Sequence, residues 1–334
     1  MMLAGSTVFP LIGFLVDPLD DLIDRLNNSL TFGILMTLAA LAFGQVQFGH
    51  QMTCKLDGTP ATVQSHVDHY QQRCYNEGLY NLAEDGLPDL SRGRMAFHMW
   101  YPYVYLVLAL LSVAPKLLWK VMLYFHGSYF RTVILEVEKL SPLRGEDFEK
   151  EVGKCAELIL DTMTMNAERF VKIVGTWTYI ATKWLYVCTL ALQLCATSLL
   201  LEQGFPLKGH CTLEFTRPLF VVSMECTLPQ NGFYRFGFTF CHIWLSLLAA
   251  ITIVSTLTAT SNLLLPVLRR RTFKKLLMIP AVTIDKNCYV MRKLGTDGLL
   301  LLTLIREHCG PIVTAAITKE ICMKSMGHIP GDLR

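Results

Sequence analysis

Leu30 to Phe48 reads LTFGILMTLAALAFGQVQF, nineteen residues without a charged side chain. At about 1.5 Å of rise per residue, a helix of this length covers the roughly 30 Å hydrocarbon core of a bilayer. Lipid offers no hydrogen-bond partners, so an uncharged run must satisfy its own backbone, as a transmembrane helix does. Gly33, Thr37, Ala40, Gly44, Gln47 and Gln51 follow at steps of 4, 3, 4, 3 and 4, which places them on one helical face. That stripe has two readings. Small residues allow close helix packing in membranes; alternatively, the face meets water in a pore, because its polarity rises toward Gln47 and Gln51.

The whole chain has the composition this segment demands. Of 334 residues 52% are hydrophobic and 17% charged, where soluble domains carry about 25% charge. A net charge of +3 is too small to suggest nucleic acid. Met1 to Val16 is apolar but lacks a basic leader and runs into Asp17 and Pro18, which is not the pattern of a secretory signal. No internal repeat or low-complexity tract interrupts the sequence.

Upstream, Asp17 can cap a helix with Pro18 in its first position. Leu19, Leu22, Ile23 and Leu26 then repeat at helical spacing, and the acidic residues between them read as a solvated face and cap. Downstream, three more apolar runs appear. The segments predicted are an arm and amphipathic helix over 1–29, spans over 30–48, 98–119, 184–201 and 236–266, loops over 49–97, 120–183 and 202–235, and a helical tail over 267–334. Trp100, Tyr101, Tyr103 and Tyr105 read as an interfacial aromatic belt. The arm, the middle loop counted from Lys116, and the tail hold 1, 10 and 12 Lys and Arg, against 4 and 3 in the other loops. The positive-inside bias puts both termini and the middle loop in the cytosol. Arg269 to Lys275 decides it.

On that topology Cys54, Cys74, Cys211 and Cys226 lie in the two extracellular loops, an oxidising location that suggests two disulfides. Four cysteines allow three pairings, and spacing does not choose among them. His66 and His69 form a lone His-x-x-His without the glutamate of a metalloprotease helix, so no metal site is expected, nor any cofactor. The sole glycosylation sequon, Asn27-Asn28-Ser29, falls on the cytosolic side.

Several motifs reach beyond topology. Asp20-Asp21-Leu22-Ile23-Asp24-Arg25-Leu26-Asn27 precedes the first span; His50-Gln51-Met52-Thr53-Cys54 and Tyr70-Gln71-Gln72-Arg73-Cys74 bring in the first two loop cysteines. Trp100-Tyr101-Pro102 opens the second span, and Pro115-Lys116-Leu117-Leu118-Trp119-Lys120 closes it. Phe205-Pro206 with Cys211, Cys226-Thr227-Leu228-Pro229-Gln230-Asn231, and Gly295-Thr296-Asp297-Gly298 complete the set. As a set they resemble the innexins, the invertebrate gap-junction proteins related to pannexins. The leading Tyr-Tyr-Gln of the family's second-span signature and its Asn-Glu-Lys after the second loop are altered here, which marks a divergent member.

The resemblance implies an all-α membrane protein: a four-transmembrane-helix bundle per subunit, with disulfide-linked extracellular loops and a helical cytosolic dome, assembled into a ring-shaped large-pore channel. It implies bridges Cys54–Cys226 and Cys74–Cys211, and Trp100, Pro102 and Pro115 as structural motif residues. Its pore would be lined by the N-terminal arm (Met2, Leu3, Phe9) and by Gly33, Thr37, Gly44, Gln47 and Gln51. The arm could instead pack against the inside of the bundle or the membrane's inner face. The expected partners are bilayer lipid, further copies of the chain (an octamer, by the family) or related subunits, and a docked hemichannel of a neighbouring cell, with no nucleic acid. The expected function is passive passage of ions and small metabolites across the plasma membrane or through a gap junction. A non-conducting four-span adhesion or scaffold protein is the alternative, and no nucleophile–base set at bilayer depth suggests an enzyme.

Overall fold

The computed structural model describes residues 20–48, 52–56, 70–75, 100–125, 129–167, 174–203, 205, 207–216, 219–277 and 284–327. Four helices among them are long and apolar enough to cross a membrane: α1 (Leu22–Phe48), α2 (Tyr101–Phe125), α5 (Val174–Gln203) and α6 (Pro229–Leu264). The chain divides into two compact units, one of Thr31–Ser112 with Thr189–Leu248, the other of Met1–Leu30, Val113–Cys188 and Ala249–Arg334.

In the first unit, α1, α2, α5 and α6 pack around Leu35, Ala39, Tyr105, Leu108, Phe238 and Cys241. Tyr101 and Tyr105 belong to this core, where Tyr105 stacks on Phe238 at 4.5 Å, whereas Trp100 and Tyr103 stay exposed. The expected aromatic belt is therefore divided. Helical spacing turns Tyr101 and Tyr105 inward together, and only their neighbours remain at the surface. Tyr105 can approach α6 because Gly237 has no side chain; a Cβ there would strike its hydroxyl. That hydroxyl has no hydrogen-bond partner among the described residues. Gly237→Ala is expected to destabilise the protein by about 1–3 kcal/mol, the usual range for overpacking. Adding Tyr105→Phe should restore most of the loss in thermal melts of the detergent-solubilised protein.

The same unit carries a three-stranded antiparallel sheet in the order β1-β3-β2: β1 (Thr53–Leu56), β2 (Lys208–Thr216) and β3 (Leu219–Thr227). The sheet was not legible in the helical pattern. It comes from two loops, with β1 supplied by the first and the β2–β3 hairpin by the second.

The second unit is a helical dome. Its α3 (Tyr129–Glu138) buries Phe130, Val133, Ile134 and Val137, the i, i+3, i+4, i+7 stripe of a helix with one apolar face. Against it pack α4 (Glu146–Ala167) and α8 (Ile284–Cys309), and with α7 (Pro266–Leu277) and α9 (Pro311–Gly327) they share one core that includes Ile159, Phe273, Leu301 and Ile317. Gly310, at φ 89°, ends α8, and Pro311 starts α9, the usual chemistry of helix stop and start. Gly295, at φ 69°, breaks α8 internally. Just beyond the break, Asp297 accepts hydrogen bonds from the Gly175 and Thr176 amides and the Thr176 hydroxyl, which satisfies the first turn of α5. Burial pushes the Asp297 carboxyl up from its ordinary range, and these bonds oppose the shift.

Candidate pore-lining face and disulfide-bridged cap

The rotation of α1 decides what its polar stripe can meet. Thr31, Leu35, Ala39 and Ala42 are buried, whereas Gly33, Thr37, Ala40 and Gln47 are exposed and Gly44 is half-buried. Two hydrogen bonds hold this orientation: Trp244 Nε1 donates to Thr31 Oγ1 at 3.1 Å, and Gln230 Nε2 donates to the Gln45 carbonyl at 3.2 Å. The stripe thus faces away from its own bundle. A Cβ built on Gly33 or Gly44 would meet nothing within 4 Å, so neither glycine serves close packing within the chain. The Thr37 hydroxyl donates back to the Gly33 carbonyl at 2.8 Å, which satisfies it without a second helix. Gln51 and the arm residues Met2, Leu3 and Phe9 lie outside the described residues.

The approach to α1 differs from its sequence reading. Asp17 and Pro18 lie outside the described residues, and the helix is capped by Asp21, whose side chain accepts from the Asp24 amide at 2.6 Å. The acids are not a solvated face. Asp20 and Asp24 are buried; Lys116 pairs with Asp20, and Lys183 pairs with Asp21 and, at 2.7 Å, with Asp24. Burial of charge is tolerated because each ion meets its counter-ion. A π turn over Leu26–Leu30 follows, and it buries two consecutive asparagines. Asn27 donates to Thr252 of α6 at 3.0 Å, and Asn28 to the Tyr186 hydroxyl of α5 at 2.6 Å. Such polar side chains bind helices together in membranes. Sequence reasoning took Lys116 and Lys183 only as basic residues of the middle loop, and Lys116 also as part of the motif that closes the second span. The clue it passed over was that two lysines and three aspartates flank apolar runs, near enough to pair.

The cap is built on the cysteines. Cys54 is bonded to Cys226, its direct partner in the β1–β3 register, and Cys74 to Cys211. The four half-cystines are buried with Met52, Tyr75, Met224 and Leu228. Gln71, in the helical turn over 70–75, donates to the Met52 carbonyl and accepts from the Cys54 amide, joining that turn to β1. Of the motif residues, Pro102 and Pro115 are buried within α2, and Trp100 is exposed just before it. No group of histidine, cysteine and carboxylate side chains among the described residues could hold a metal.

Four helices long and apolar enough to cross a membrane, one of them with an outward polar stripe, and a cap that two disulfides tie across two loops are the marks of a multi-pass membrane protein. Comparison with known proteins gives the family. The innexin family model matches residues 20–218 and 203–325. Innexin-6 of Caenorhabditis elegans is 25% identical over 350 residues, covering 92% of this chain and 89% of that protein. Innexin-3 of the same animal is 22% identical, covering 91% and 83%, and Innexin unc-9 is 26% identical over 129 residues, covering 37% and 32%. The chain belongs to the innexin family, a family of gap-junction channel subunits rather than enzymes, and is a divergent member of it.

Proposed function

We propose that this chain is the subunit of an oligomeric large-pore channel that conducts ions and small metabolites passively, through a docked junction or an undocked hemichannel. The observation that carries this reading is the unpartnered small and polar face of α1. A helix surrounded only by lipid has no use for Gln47 and Gln51, whereas a water-filled axis solvates them. In the proposed ring, Gly33, Thr37, Gly44, Gln47 and Gln51 line the pore, and Met2, Leu3 and Phe9 of the arm reach its cytosolic mouth. Selectivity is loose, since no charged side chain lies between Leu30 and Phe48 to form a charged ring. An octamer is the expected assembly, from this chain alone or with related subunits.

The basic tail supports a cytosolic dome with both termini on that side, and the unpaired cysteines such as Cys155 and Cys322 are compatible with a reducing compartment. The two disulfides support an extracellular cap, drawn from 49–97 and 202–235, with 1–29, 120–183 and 267–334 in the cytosol.

Gln47→Cys and Gln51→Cys are expected to become reactive toward a membrane-impermeant thiol reagent applied to open channels, with a fall in current. Leu35→Cys, on the buried face, should stay silent. Current unchanged at both glutamine positions would remove this face from the pore. Expressing cells that take up no dye when wild-type protein is at the surface would favour the adhesion or scaffold alternative, and images of solubilised particles would count the subunits.

A further inference from the structure

Between the end of α6 and the dome helices α7 and α8 lies a groove of about 570 Å³, within the roughly 300–1,000 Å³ typical of small-ligand sites. Conduction gives it no role. Val254, Thr258 and Asn262 of α6 line one wall; Thr272 of α7, with Leu300 and Thr303 of α8, line the other, all within the second unit. Most of the lining is apolar, and two of its hydroxyls are already engaged. Thr258 donates to the Val254 carbonyl at 2.7 Å, and Thr303 to the Leu299 carbonyl at 2.8 Å. Ile251 and Val254 are exposed, so the groove is open along the side of α6.

Among the described residues, the charged side chains of this lining are both acids, Asp21 and Glu307. Asp21 shares Lys183 with Asp24, so one ammonium already serves two carboxylates. No hydrogen bond or ion pair joins the Glu307 carboxyl to another described residue. Glu307 is exposed at the groove, yet the protein around it holds its carboxyl above the ordinary range by desolvation, with Asp21 acting the same way and Lys183 and Arg306 against it. Asp21, Asp24 and Glu307 thus share two cationic side chains, Lys183 and Arg306. One negative charge is left over beside a mostly apolar groove.

We propose that this groove binds a protonated aliphatic amine, its ammonium at Glu307 and its hydrocarbon chain between α6 and α8. The charge selects the head. A carboxylate or phosphate there meets like charge, an alcohol leaves the surplus uncompensated, and an ammonium makes a charge-assisted hydrogen bond to the free carboxylate. The walls select the body: an inorganic cation leaves the apolar lining unfilled, and no cluster of ligands among the described residues could hold a metal. Lipid tails are as apolar as leucine, so the chain gains little by leaving a bilayer for the groove, and the head supplies the discrimination. The proposal rests on this groove alone and does not depend on conduction.

The test is photolabelling of the full chain in phosphatidylcholine nanodiscs with dodecylamine that carries a diazirine near the end of its chain, mapped by peptide mass spectrometry. Labels over Val254 to Leu263 should exceed several-fold those at Leu117 and Val121, exposed apolar residues of α2. Unlabelled dodecylamine should suppress the groove labels at about a tenth of the concentration that dodecanol needs, the margin of a hydrogen bond to a charged group. Dodecanoate should compete no better than the alcohol. Glu307→Gln should reduce the groove labels and erase the amine's advantage over the alcohol. Thr258→Trp, which fills the groove, should remove the excess there and leave labels at Leu117 and Val121 unchanged, which shows that the variant is folded. Val254→Trp, at a residue 65% exposed, blocks the same groove if the first variant does not fold. Equal competition by amine and alcohol, an amine advantage that survives Glu307→Gln, labels no denser in the groove than on α2, or labels that survive both tryptophan variants would each overturn the proposal.

Discussion

Lys183→Met is expected to leave little folded protein. The substitution keeps the volume and apolar stem of the side chain but strips Asp21 and Asp24 of their counter-ion in a site where Asp24 is almost wholly buried. Removing one member of a buried ion pair costs about 3–5 kcal/mol, because the remaining charge has neither water nor partner. A whole domain is stable by only about 5–15 kcal/mol. The thermal midpoint of solubilised protein should fall sharply, and surface expression with it. Lys183→Arg, which retains the charge, should lose much less. Asp24→Asn placed in the Lys183→Met background should recover part of the loss, since one stranded carboxylate becomes neutral. Wild-type melting of the Lys183→Met protein would show that the network contributes nothing to stability.

The disulfides are the second large effect, and the two should fail differently. Each closes a long loop, with sequence separations of 172 and 137. Chain entropy makes each worth about 2–5 kcal/mol, and the difference in loop length adds only about 0.2 kcal/mol between them. Local structure must therefore separate the phenotypes. Cys54 and Cys226 sit opposite each other in the β1–β3 ladder, whose hydrogen bonds hold the strands in register without the bridge. Cys74 lies outside that ladder, in the helical turn over 70–75, whose Gln71 bonds to Met52 and to Cys54 of β1. Replacing Cys74 and Cys211 with serine should release that turn, seen as fast amide exchange over 70–75, while the sheet stays protected. Replacing Cys54 and Cys226 should lower the thermal midpoint and leave β3 slowly exchanging. Uniform exchange across the cap in either variant would show that both bridges support one indivisible unit.

The parts legible in the sequence were those written as uninterrupted patterns. Leu30 to Phe48 announces a span because lipid forbids charge, and the cysteines announce a cap because four of them fall, two and two, in the loops assigned to the oxidising side. The outward turn of Gly33 and Gln47 was only half legible. Helical spacing groups them on one face, but the direction of that face depends on Trp244 and Gln230, more than 180 residues away in the chain. The pairing of Lys116 and Lys183 was missed for a physical reason. A lone lysine beside an apolar run belongs at the interface, and only folding reveals that Asp20, Asp21 and Asp24 come to meet the pair. The sheet escaped for a similar reason: β1 has four residues and its partner strand begins more than 160 residues later. No short window contains that pairing.

The same β1–β3 pairing sets a timetable for biosynthesis. At about 5–20 residues per second, the first two cysteines emerge from the ribosome well before their partners, and intervals of 137 and 172 residues correspond to waits of roughly 7 to 35 s. Through that interval Cys54 and Cys74 have only each other as nearby thiols on the oxidising side of the proposed topology. A premature bond between them must be reshuffled before the sheet can close. In that topology a correctly paired cap records that α5, which precedes Cys211 and Cys226, has already been threaded through the membrane, so quality control that senses free thiols there would also be sensing insertion as far as α5.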